Sequence, residues 1–151
     1  MENRYEDITD NVIGVFVKTV EDWFPEVGNL KIKLMFDLKK KIVKGKFTLA
    51  YIELVNEKLR FLTSSKLVED GFDYLLVLNK VVWEIADETD KTRIMRHELR
   101  HIFEDESDKL TLLPHDISDF SEEIALNSDD PNWGVSLTSA ALDKYEAMKG
   151  E

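Results

Sequence analysis

The run Phe72-Asp-Tyr-Leu-Leu-Val-Leu78 carries a single charged residue in seven positions. A strand with one wet face alternates apolar and polar side chains; this one does not, and it requires cover on both faces. The chain must therefore build a layered domain around that strand. A second strand is read between Leu30 and Leu38, where Leu30, Ile32, Leu34, Phe36 and Leu38 alternate with Lys31, Lys33, Asp37 and Lys39. A third covers Phe47 to Val55, after a turn over Lys40 to Lys46 that carries Gly45. Helices are read from other spacings. Ile8, Val12, Phe16, Val20 and Phe24 recur every four residues from about Tyr5, and Pro25 with Gly28 ends that stripe. Short helical pieces are expected at Glu57 to Leu62 and Asn79 to Ala86. A longer helix runs from Asp87 or Thr89 to about Glu104, with Asp87, Thr89 and Asp90 as capping groups. After a polar loop, Ile117, Phe120 and Ile124 mark another helix, with Asp116 or Ser118 as its cap, and Leu137 to Met148 the last. The order implies an α+β fold: one domain over 1–151, with helices gathered against a small mixed sheet.

Composition narrows the function classes. The 151 residues include no cysteine, so disulfides, thiolate metal sites and thiol nucleophiles are excluded. The net charge of −11 opposes nonspecific nucleic-acid binding, which depends on cations neutralising phosphates. The seven lysines between Lys31 and Lys46 are a local exception, read as protection of an exposed sheet edge. The charged start, Met1-Glu-Asn-Arg-Tyr-Glu-Asp7, lacks a signal-peptide pattern, and no apolar run approaches the roughly 20 residues of a membrane helix. A cytoplasmic chain with no membrane partner is expected.

The chemistry concentrates in His97-Glu98-Leu99-Arg100-His101. Residues four apart share one helix face, so both imidazoles reach one ion. Glu98 is offset by one position, too far round to ligate but placed to take a proton from water held at that ion. Met95, Leu99, Ile102 and Phe103 are read as the stripe that anchors this helix on the core. The chain has three histidines, and the motif uses two. The third, His115, is the preferred third ligand, since zinc takes imidazole readily and three ligands with an open position suit catalysis. Asp116, Asp119, Glu122 and Glu123 are the carboxylate alternatives, with Asp116 and Asp119 also placed to orient the histidines. Tyr74, Arg93, Arg96 and Tyr145 are conceivable oxyanion donors, each better read as a surface or core residue. The expected activity is zinc-assisted hydrolysis of an amide, with a peptide or protein as substrate. The alternative is a non-catalytic binding or regulatory module stabilised by its metal.

The order Phe72 to Leu78, Val82-Trp-Glu84, Arg96 to His101 and Pro114-His-Asp-Ile-Ser-Asp-Phe120 resembles the phage metallopeptidases, a zincin-like group of phages, prophages and bacteria. The resemblance covers roughly Leu30 to Ile124. It implies a minimal zincin-like domain with an active-site helix bearing HExxH, and His115 of the His-Asp pair as the third zinc ligand. Pro114-His115 with Phe120 also resembles the third-ligand region of SprT-like proteases. Asp116 stands where those proteases usually have glycine, so their DNA-linked role is not implied.

Overall fold

The computed structural model describes residues 3–107, 109–113, 123 and 126–149. Its main sheet has the order β1-β2-β6-β5, from β1 (Tyr5–Glu6), β2 (Ile32–Asp37), β5 (Ala50–Leu54) and β6 (Tyr74–Asn79). β2 and β6 run parallel, with Leu34 opposite Leu76 and Phe36 opposite Leu78, while β1 and β5 are antiparallel to their neighbours. The sheet is thus small and mixed, and the apolar part of the run, Tyr74 to Leu78, occupies its interior strand. Leu76, Val77 and Leu78 are all buried, so side chains on both faces of β6 are covered, as the lack of alternation requires.

One core joins sheet and helices. Val12, Val15 and Val20 of α1 (Asp10–Trp23) meet Leu34, Phe36, Leu76 and Leu78 of the sheet, Val82 and Trp83 of α3 (Lys80–Ile85), and Ile94, Met95 and Leu99 of α4 (Glu88–Leu99). α2 (Glu57–Thr63) precedes β6, and α5 (Trp133–Lys149) adds Leu137 and Ala141 to the core. Asn79, at the end of β6, ties three parts together. Its Oδ1 caps α3 by accepting from Val82 N at 3.0 Å, and its Nδ2 donates to Lys39 O and to the Tyr145 hydroxyl of α5.

Four expectations are corrected. The first helix begins at Asp10, because residues 5 and 6 instead pair with Asp37 and Phe36 of β2. Arg4 secures that pairing: its Nε and Nη2 donate to the two oxygens of the buried Asp37 carboxylate at 3.0 and 2.9 Å. The Lys40 to Lys46 turn is a full hairpin, β3 (Ile42–Val43) and β4 (Lys46–Phe47), whose two tip residues Lys44 and Gly45 both have positive φ. The motif helix stops at Leu99 rather than Glu104. Residues read as its last turn form β7 (Ile102–Glu104), so Ile102 and Phe103 belong to a strand and not to a helical stripe. The polar stretch beyond returns as β8 (Leu110–Leu112), paired antiparallel with β7. Asp105 builds the bend, its carboxylate accepting from the backbone N–H of Ser107 and Lys109, each at 2.9 Å. β2 is flanked by β1 only at Phe36 and Asp37, so Lys33 lies where its outer edge is uncovered among the described residues.

Candidate functional site

Helix α4 carries the motif, and its start is well specified. Asp87 is the N-cap, accepting from Asp90 N at 2.8 Å, and Glu88 and Asp90 place negative charge in the first turn. Ile94, Met95 and Leu99 seat the helix on the core. The helix closes tightly: Arg100 N donates to Arg96 O, and His101 N donates back three residues to Glu98 O at 3.2 Å. His97 therefore stands in the last turn, and His101 just past the end. The four-residue spacing still brings them together, with ring centroids 5.5 Å apart and planes at 72°.

His101 is oriented from outside the helix. Its Nδ1 lies 2.7 Å from the Leu113 carbonyl oxygen, which can only accept, so Nδ1 carries a proton, and in the neutral ring the lone pair is on Nε2. Leu113 N in turn donates to His101 O, extending the β7–β8 pairing by one step. When neutral, a ring held this way is in a tautomer that metal-ligating histidines use. Among the described residues no cluster of three or more His, Asp or Glu side chains is arranged to hold a metal. His115, Asp116, Asp119 and Glu122 lie outside the described residues.

His97 and the buried Glu98 line a cleft of about 380 Å³. Its opposite walls are residues 47–50, leading into β5, and Pro131 with the first turn of α5. Among the described residues no strand pairs with the outer side of β5. Asn79 N donates to Leu49 O, and Val55 N to Asp73 O, so the odd-numbered residues from 49 to 55 bond toward β6. Antiparallel alternation then turns the N–H and C=O of Ala50, Ile52 and Leu54 outward. β5 is the sheet edge at the cleft, not the Leu30 to Leu38 strand.

Behind the motif lies a buried ionic network that the sequence reading did not assemble. Glu123 is fully buried; Arg96 Nε donates to its Oε1 at 2.9 Å, and Arg100 Nε to its Oε2. Asn127 Oδ1 accepts from Arg96 Nη2 at 2.6 Å and from Arg93 Nε at 3.2 Å. Arg93 also holds Asp90 and Asp129, each at 2.7 Å. Burial alone would depress the Arg93 pKa, but its hydrogen bonds to those carboxylates outweigh it and raise the value. Glu123, one of the carboxylates considered as a metal ligand, is thus engaged by two guanidiniums. The only advance signal was the spacing: Arg96 and Arg100 repeat the interval of His97 and His101, one residue earlier.

The four conceivable oxyanion donors are engaged elsewhere. Tyr74 donates to Thr111 O at 2.7 Å and Tyr145 to Leu38 O at 3.3 Å, while Arg93 and Arg96 belong to the network. None of the four lines the cleft.

The class defined so far is a small α+β domain whose HExxH segment opens on a cleft beside a sheet edge. Residues 3–143 match the family described as Putative phage metallopeptidase, and the chain belongs to that family. Membership implies a metal cofactor and a peptide or protein substrate. No curated protein matches the chain. Among the described residues no helix is long and apolar enough to cross a membrane.

Proposed function

We propose that the chain is a zincin-like, zinc-dependent peptidase in which His97, His101 and His115 hold the metal and Glu98 is the general base. The observation that carries this reading is the His101–Leu113 bond. It places the proton of the neutral ring on Nδ1, the tautomer in which Nε2 is the ligating nitrogen, and it returns the chain to the motif two residues before His115. A second anchor follows at Glu123, held by Arg96 and Arg100. The segment bearing His115 is therefore tied to the motif region at both ends.

Zinc in such a site supplies a Lewis acid that brings the acidity of a bound water to a pKa of about 7. The residues of the chain do the rest. Glu98, buried at the cleft wall beside His97, takes a proton from the attacking water and returns it to the leaving amine. Burial of this carboxylate shields the proton transfer from bulk solvent. The outward N–H and C=O groups of Ala50 and Ile52 hold the substrate extended, as an added strand on β5.

The test is Glu98→Gln in the zinc-loaded chain, with a peptide library read by mass spectrometry. The variant keeps its zinc, measured by elemental analysis, and loses hydrolysis by roughly 10²–10⁴-fold, the usual worth of general acid–base help. Equal cleavage of the best peptide by wild type and variant would refute the mechanism. Zinc bound by the wild type with no peptide cleaved would favour the binding or regulatory module.

A further inference from the structure

The cleft beside His97 and Glu98 does not end there. It shares Phe47, Leu49, Gly134 and Val135 with a second cavity of about 580 Å³, which runs on between the β3–β4 hairpin and α5. That extension is walled by apolar side chains, chiefly Ile42, Leu49, Val135 and Leu142, and three of these are solvent-exposed: Ile42 57%, Val135 73% and Leu142 37%. A concave, mostly apolar groove of this size beside a polar cleft has the make-up of a ligand pocket.

Gly134 lies at the junction of the two cavities, in the first turn of α5. Glycine disfavours a helix relative to alanine, so its presence calls for a reason. Conformation supplies none, since Gly134 is not among the glycines with positive φ. Internal packing supplies none either: a Cβ built there meets nothing within 4 Å among the described residues. Because Gly134 lines both cavities, a bulky side chain at 134 would take up space at their junction.

We propose that this groove is a specificity subsite of the same cleft, taking a bulky aliphatic or aromatic side chain of the peptide substrate, and that Gly134 keeps its entrance open. The assignment rests on the peptidase reading, because continuity with the Glu98 cleft is what names a substrate peptide as the occupant. Tyr145 fixes the geometry. It ties α5 to Asn79 and Leu38 and sets its ring 6.3 Å from that of Phe47, so groove and catalytic cleft are held in one register.

The test uses zinc-loaded wild-type chain and three probes: the N-acetyl amides of leucine, phenylalanine and serine. Methyl NMR resonances of Leu49, Val135 and Leu142 shift with the leucine and phenylalanine probes and not with serine, while Leu67, which lines neither cavity, stays still. Gly134→Phe weakens both apolar probes at least tenfold, whereas Gly134→Ala, adding one methyl, keeps most of the binding. Equal shifts with the serine probe, or undiminished binding in Gly134→Phe, would overturn the subsite. So would shifts at Val135 and Leu142 that depend on protein concentration alone and vanish in Gly134→Phe, which identify a second copy as the occupant. Peptide cleavage by the same proteins separates the two claims. Probe binding without cleavage of any peptide overturns the peptidase reading and the substrate role assigned here. Cleavage with an unchanged sequence preference in Gly134→Phe overturns the subsite alone.

Discussion

Replacing Glu123 by alanine removes a carboxylate whose side chain is 1% exposed and leaves behind two guanidiniums, Arg96 at 10% and Arg100 at 15% exposure. Breaking a buried pair by deleting one partner removes the charge compensation of the other, at a cost of about 3–5 kcal/mol. Domain stabilities are about 5–15 kcal/mol, so the loss is a large share of the whole. For a chain of this length, about 2–4 °C of Tm accompanies each kcal/mol, which gives a fall of roughly 6–20 °C. Asp129→Ala is the control. That carboxylate is 68% exposed, and its partner Arg93 keeps Asp90 and Asn127, so its removal costs under about 1 kcal/mol. Urea unfolding of chelator-treated protein measures both without a contribution from metal. The zinc-loaded forms then report the functional half: Glu123→Ala weakens zinc binding more than Asp129→Ala does, because it releases one anchor of the segment bearing His115. A Glu123→Ala loss below about 1 kcal/mol would show that the two arginines find water, and the network would not be the clamp described.

Three further outcomes follow from particular contacts. His115→Ala should abolish tight zinc binding, whereas Asp116→Ala, if that residue only orients a ligand, should cost about 10–100-fold; an unchanged zinc dissociation constant in His115→Ala would move the third ligand to a carboxylate. Gly71→Ala should destabilise the fold by about 2 kcal/mol or more, since φ is +74° and the new Cβ would collide with the Arg60 carbonyl oxygen; urea unfolding within about 0.5 kcal/mol of wild type would contradict this. Burial raises the pKa of Tyr74 above the unfolded value of about 10, so the folded state holds the phenol proton more tightly. That stability is complete below pH 10 and is lost as pH rises through the folded pKa, because the unfolded chain ionises first. Tyr74→Phe should flatten the alkaline fall in urea-unfolding stability, and an equally steep fall would assign it to other groups.

The parts of the fold legible in the sequence are those where one local pattern has one physical solution. A seven-residue run with a single charged residue near its start points to an interior strand, and β6 is that strand. Asp87 before a helical stretch with acidic residues in its first turn reads as a cap, and it accepts from Asp90 N. The motif also survives its own misplacement. The helical spacing puts His101 on α4, and it lies instead in the turn after Leu99, yet Arg100 keeps helical φ and ψ, which preserves the face shared with His97.

What escaped depends on partners distant in sequence. Nothing local to Ile102–Glu104 distinguishes a last helical turn from a strand; the choice is made by Leu110–Leu112 and by Tyr74, whose hydroxyl pins Thr111 from across the core. Likewise Tyr5 and Glu6 leave the helical pattern because Arg4 finds Asp37 some thirty residues on. The two cases have opposite consequences for the candidate site. The β1 pairing only finishes an edge, whereas the β7–β8 hairpin decides which residue reaches His101. Had the helix run on to Glu104, the chain would have left the motif about 1.5 Å farther along its axis with every added residue. Stopping at Leu99 reverses it at once, and Leu113 comes to lie within hydrogen-bonding distance of the His101 ring. The early stop thus brings the chain back to the motif two residues before the last histidine, and the side chain that most directly holds the returning hairpin is Tyr74.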